Sequence, residues 1–389
     1  MQWIVILVFT FILKQCTTPE DQAYKPPESL VSIVVLPYVE EEFLDKTYLV
    51  KKKSPYFAFG IGISENLREL LSQNSELLVV YPEDIFHKLP IEKVLGEAKF
   101  QRENFKELEK ITWVLTGSFQ YDPQKKAFEI TSYLYDPQGN SKKLPKVKGI
   151  SFTTEQISYL DFLKNQLYSS TIKTLLCERV KKEECPPLKP EFIANLDLTE
   201  SSNFSAFLNY SRGLTYLYES YNLELDKLES LKKRNIALTY FKKAILDSSR
   251  EQQKYPHAVT NLVNIFQSKP HSLLDLDLEL KSYTIASYNF PSNPFQHELT
   301  SSEISRLRKV LQKALWFVKL NPEYKIQVMG HWSKNLYDTK TSEQTRSGEI
   351  LNLIFPEGLE TLKDYINYTD IVSLEDKVEF GIIQGESIK

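Results

Sequence analysis

The sequence predicts a multidomain chain of α/β and α+β class, with a mixed α/β part first, a helical hairpin next and a βαβαβ part last. Three observations carry this. Over 31–185, short apolar runs alternate with stretches of helical periodicity. Over 203–266 only helical spacing appears. After 273 the alternation of strand and helix patterns resumes. The expected boundaries are 31–185, 191–270 and 273–389, and Pro186, Pro187 and Pro190 mark a linker after the first part. A chain of 389 residues suits two or three domains at about 150 residues each. With 42% hydrophobic and 25% charged residues, each has material for a core.

The elements follow in order. Val31 to Pro37 is a continuous apolar run ended by proline, the mark of a strand buried on both faces. In Gly60-Ile-Gly-Ile-Ser64-Glu-Asn-Leu67, Ser64 is the expected helix N-cap, with Ile63, Leu67, Leu70 and Leu71 on one face. A second strand is expected at Leu77–Tyr81, a helix over 103–110 and a third strand over 112–119. Tyr121-Asp-Pro-Gln124 recurs as Tyr135-Asp-Pro-Gln138, and Asp-Pro pre-sets a turn, so two hairpins should flank a strand carrying Phe128, Ile130 and Leu134. A long helix over roughly 155–180 closes this part.

Beyond the linker, Gly213 and Tyr216 on one helix face Ala237, Phe241 and Ala244 on the next, with an insertion expected over Ser220–Arg234. In the last part a strand is expected where Leu274, Leu276, Leu278 and Leu280 alternate with acids. Thr300-Ser-Ser-Glu303 is a capping box. It opens a helix with Ile304, Leu307, Leu311, Ala314 and Val318 on one face, ended by Asn321-Pro322. A strand at 326–329, a helix over about 343–353 and a strand around 378–383 complete the order.

The chemistry on offer is sparse. Net charge is −3, which gives no electrostatic reason to expect nucleic acid or an anionic membrane surface. The five histidines, His87, His257, His271, His297 and His331, form no HExxH pair. There is no CxxC, no G-x-S-x-G elbow and no complete G-x-G-x-x-G. No enzyme and no cofactor is therefore expected. Ile4 to Leu13 is apolar but shorter than the roughly 20 residues that span a bilayer, so it reads as a secretory signal over 1–15. Cys16 follows at once, and 17–27 is polar and contains proline, as a tether over 16–30 should. Cys177 and Cys185, eight residues apart, are read as a disulfide in an oxidising compartment, with two buried free thiols as the alternative.

Four resemblances add to these readings. The apolar run ending in Leu13-Lys14-Gln15-Cys16 resembles a bacterial lipoprotein signal, which implies acylation of Cys16 and attachment to outer-membrane lipid. Val35-Leu-Pro-Tyr38, the 60–67 segment and Leu115-Thr-Gly-Ser118 resemble the N-terminal domain of TolB and related envelope proteins, a domain used for protein contacts. The 203–266 segment resembles a tetratricopeptide repeat. Ile326-Gln-Val-Met-Gly-His331, with Arg346 after it, resembles the OmpA-like domain, which holds the diaminopimelate of peptidoglycan. In that family an arginine clamps the ligand carboxylate and a carboxylate holds its ammonium. Arg346 matches the arginine, whereas Ser333 stands where the family has Asp, with Asp338 as a substitute from the same loop. Together they imply an outer-membrane-anchored scaffold whose partners are envelope proteins and, through Arg346, peptidoglycan.

Overall fold

The computed structural model describes residues 31–74, 76–86, 89–96, 113–136, 138–151, 157–179, 203–222, 224–250, 255, 257–259, 261–262, 282–289, 299–333, 345–355, 362 and 364–384. The signal-like run, Cys16, the proline linker, the helix expected at 103–110, the strand expected at 274–280, Asp338 and Cys185 lie outside them. So does the side chain of Cys177.

The expected α/β and α+β class is what the chain adopts, built on two mixed sheets. In the first sheet β1 (Val31–Val35) lies between β3 (Leu77–Val80) and β4 (Trp113–Asp122), parallel to both. All five of its residues are buried, as the unbroken apolar run requires. The sheet continues antiparallel through β5 (Ala127–Tyr135) to β7 (Val147–Ser151) and ends on β8 (Ile157–Ser158). The short β2 (Val39–Glu40) pairs with β4, and β6 (Ser141–Lys143) pairs with β5. Both Asp-Pro turns form. Asp122 Oδ1 accepts from the amides of Gln124 and Lys125, and Asp136 Oδ1 from those of Gln138 and Asn140.

Four helices and a longer composite one surround this sheet: α1 (Tyr48–Lys51), α2 (Phe57–Leu71), α3 (Pro82–Phe86), α4 (Ile91–Gly96) and α5. The last is one rod made of Tyr159–Asp161, a π-helical Phe162–Tyr168 and Ser169–Arg179. Ser64 does not cap α2. The helix starts seven residues earlier, and Ser64 sits in its middle with Oγ donating back to the carbonyl of Ile61. Helix propensity argues against Gly60 and Gly62 in a helix interior by roughly 1 kcal/mol each, and tertiary packing overrides it. A Cβ on Gly60 would lie 1.9 Å from the carbonyl oxygen of Tyr38, and one on Gly62 would lie 2.2 Å from Ser211 Oγ. Phe59 of the same helix stacks on Phe128 at 3.9 Å between ring centroids and meets Phe207 edge-on at 5.8 Å.

Phe207 and Ser211 belong to α6 (Phe204–Glu219), which pairs with α7 (Lys227–Arg250) as the expected hairpin. Phe241 fills the space that Gly213 leaves open. The insertion is shorter than expected: α7 already begins at Lys227, started by Asp226, whose Oδ1 accepts from the amide of Glu229.

The last part holds β9 (Ser282–Asn289), α8 (Ser301–Leu320), β10 (Tyr324–Ser333), α9 (Arg346–Ile354), β11 (Ile366–Ser373) and β12 (Lys377–Gln384). Its sheet order is β11-β10-β12-β9, with β10 and β11 parallel and the other pairs antiparallel. The capping box closes as expected: Glu303 N donates to Thr300 Oγ1, and Thr300 N to Glu303 Oε2. The order is βαβαββ rather than βαβαβ, because Ile366–Ser373 adds an edge strand. Its Asn-Tyr-Thr-Asp-Ile-Val sequence has no strict alternation, and most of its side chains are exposed.

Gly60→Ala should destabilise the protein by about 2 kcal/mol or more, since overpacking against a fixed carbonyl outweighs the helix-propensity gain. Urea unfolding checks this. A gain in stability, as at an exposed helix position, would contradict the packing account.

Candidate ligand site around Arg346

The residues on which the sequence resemblance rested, Ile326–His331 and Arg346, lie within β10 and at the start of α9. In the β10–β11 register Gly330 lies opposite Asp370. A Cβ at Gly330 would lie 2.2 Å from Asp370 Oδ1, so the glycine is what admits that carboxylate between the sheet and the helix.

Asp370 then does what Thr345 does not. Thr345 occupies the N-cap of α9 without a side-chain cap bond. Asp370 Oδ2 accepts from Arg346 N at 2.8 Å, and Oδ1 from Ser347 N at 3.2 Å and Ser347 Oγ at 2.6 Å. Trp332 Nε1 donates to Oδ2 at 2.6 Å. The carboxylate thus caps the helix from a neighbouring strand and meets the positive end of its dipole. Burial alone would push the Asp370 carboxyl upward. The donors from Ser347, Trp332 and Arg346 outweigh it and hold the carboxyl below the usual aspartate range.

Arg346 is buried. Its guanidinium lies over the Trp332 ring, 4.2 Å from the centroid, a cation–π contact. Nη1 donates to the carbonyl of His331 at 3.0 Å and pairs with Asp376 Oδ1 at 3.0 Å. Burial lowers its affinity for the proton, while Asp376 and Asp370 act in the opposite sense. Ser333 lies at the end of β10, and its backbone amide donates to the same Asp376 Oδ1 at 2.8 Å. Arg346 and Ser333, which the sequence put forward together, are therefore brought together on Asp376. His331 Nε2 lies 3.1 Å from Glu379 Oε2, and Lys377 also pairs with that carboxylate.

Asp370 and Asp376 are the residues that sequence reasoning missed. Neither sits in a recognisable motif. Both acquire their roles from strand register, Asp370 through its place opposite Gly330 and Asp376 through the turn between β11 and β12.

Chemically the arrangement is a buried arginine held through Nη1 on an internal carboxylate, with an indole beneath the guanidinium. No cluster of three or more His, Cys, Asp or Glu able to hold a metal occurs among the described residues. Comparison of the chain with protein-family models, with curated proteins and with solved structures finds no match.

Asp370→Asn should cost about 2–3 kcal/mol near neutral pH, because four donors lose a charged acceptor and two of them then face an amide NH2. The sign with pH follows from a depressed folded-state value. The contribution is complete above the unfolded aspartate range of about 3.9 and disappears as pH falls through the lower folded value. The stability gap between wild type and variant, from urea unfolding at several pH values, should therefore shrink below about pH 4. A constant gap down to strongly acid pH would contradict this account.

Proposed function

We propose that this chain is a non-enzymatic cell-envelope lipoprotein, held on outer-membrane lipid through Cys16. It serves as a protein-binding scaffold whose OmpA-like domain does not grip peptidoglycan. The observation that carries the reading is the engagement of Arg346 by Asp376 and Trp332. A ligand carboxylate has to displace Asp376 from Nη1 of a buried guanidinium before it gains a two-pronged grip there. Ser333 then offers a neutral group, through its side chain, to the ligand's ammonium. Losing that charge-assisted bond costs roughly 1.5–3 kcal/mol, which is about one to two decades in affinity.

The remaining support is the order of the chain. An apolar run ends at Cys16, a polar tether follows, and the first part resembles a domain used for protein contacts. Among the described residues no helix is long and apolar enough to cross a membrane.

Retention on purified sacculi tests the wall-binding half. Wild type should stay in the supernatant. Asp376→Ala combined with Ser333→Asp should raise retention at least tenfold by freeing the fork and restoring the acid, and adding Arg346→Ala should abolish the gain. Strong retention of wild type, unchanged by Arg346→Ala, would overturn the reading.

A further inference from the structure

Helix α7 presents a side that the scaffold reading does not use. One face packs on α6 through Ala237, Phe241 and Ala244, all buried. The opposite face carries Leu228 at 62% exposure, Leu231 at 52%, Ile236 at 40% and Leu246 at 62%. At 100° per residue these fall within one stripe, with Leu228 and Leu246 on the same line. Eighteen residues separate them, about 27 Å along the axis.

Between the aliphatics, on the same stripe, stand the exposed Lys232, Lys242 and Lys243. Among the described residues the acids of the helix are Glu229 and Asp247, and neither stands among these aliphatics. Glu229, at its margin, is tied to Lys232 at 3.4 Å, and Asp247 is turned toward α6, where Ser205 and Asn209 both donate to it at 2.8 Å. Lys243 lies over the Tyr240 ring at 5.2 Å, which keeps its stem against the helix surface. The whole chain has a net charge of −3, so this local cationic strip is invisible in the total.

We propose that the outer face of α7 docks on an anionic lipid surface. The stripe has the composition of an interfacial helix, with long aliphatics to enter the headgroup boundary and lysines whose stems lie along apolar surface while the ammonium reaches phosphate. It lacks the composition of a protein interface, where lysine is depleted and arginine and aromatic residues are enriched. Lys232, Lys242 and Lys243 each carry a point charge suited to a diffuse anionic surface rather than to a bidentate carboxylate fork. A second exposed aliphatic pair, Leu49 at 71% and Val50 at 39%, lies on α1. That helix is tied to the α6–α7 pair by Glu219, which accepts from Tyr48, Lys52 and Lys233. The contact is independent of acylation at Cys16 and of the state of the Arg346 clamp.

Sedimentation with vesicles tests it, using the full chain carrying Cys16→Ser so that no acyl group contributes. The chain should bind phosphatidylglycerol-containing vesicles more tightly than neutral phosphatidylcholine vesicles, and salt should weaken the preference. Lys232→Glu, Lys242→Glu and Lys243→Glu combined should reduce binding to the anionic vesicles by at least a hundredfold, at about fivefold for each lysine near such a surface. Leu228→Ser with Leu246→Ser, a variant that keeps every charge, should remove the binding that survives high salt. The substitutions on α7 are at exposed positions, and unchanged thermal melting verifies the fold. No preference for anionic vesicles, or equal binding by the parent and the lysine variant, would overturn the proposal.

Discussion

Gln312 of α8 closes an open sheet edge, and the joining of the two sheets depends on it. β3 is the last strand on its side of the first sheet, where backbone groups would otherwise face outward. The amide of Val79 donates to Gln312 Oε1 at 3.0 Å, and Gln312 Nε2 donates to the carbonyl of Ser72 at 3.1 Å. A wholly buried side chain thus stands in for a neighbouring strand. Around it Glu83 pairs with Lys309 at 2.8 Å and Lys313 at 3.3 Å, Ser305 approaches Glu69, and Lys319 donates to Ser32. On its other side α8 serves the second sheet's part, where Arg308 Nε donates to the carbonyl of Ile354 at 2.9 Å. Burial opposes ionisation of Glu83, but the two lysines overcome it and hold the carboxyl well below the usual glutamate range. One helix is therefore core for two sheets, and Val31–Lys389 forms a single compact unit.

The helical hairpin is attached by the same kind of buried polarity. Glu65 and Arg68 of α2 pair with each other and with Tyr218 of α6, all three nearly without exposure. Glu219 beside them accepts from Tyr48, Lys52 and Lys233. Burial acts to raise the Glu219 carboxyl, and these donors outweigh it, leaving it lowered. Ion pairs of this sort add little net stability over an apolar filling, yet losing one partner strands a buried charge. They fix how α6 crosses α2, and Gly62 sets how closely.

What the sequence made legible was what local pattern controls. The Val31–Val35 run, both Asp-Pro turns, the Thr300–Glu303 box and the Gly213–Phe241 complementarity each depend on neighbours in the chain or on a fixed helical spacing. The start of α2 was not legible, because Gly60 and Gly62 read as a loop until the Tyr38 carbonyl and Phe207 are in place. β11 was missed because an edge strand exposed on both faces has no apolar alternation. At the candidate site Arg346, Ser333 and the Gly330-His331 pair were legible as a resemblance. Asp370 and Asp376 were not, since strand register across some forty residues brings them there.

The proposed scaffold, with one surface for lipid and another for partners, requires rigidly joined parts, and α8 joins the two sheets. Native-state hydrogen exchange, read on peptides covering β3 and β10 in increasing urea, tests this most directly. If α8 makes the two sheets one cooperative unit, both strands should open with the same free energy and urea dependence in the wild type. In Gln312→Ala they should separate, since the β3 amide of Val79 and the carbonyl of Ser72 just after α2 lose their partner at about 1–3 kcal/mol each. Wild-type protein in which β10 opens well before β3, with the pattern unchanged by Gln312→Ala, would contradict it.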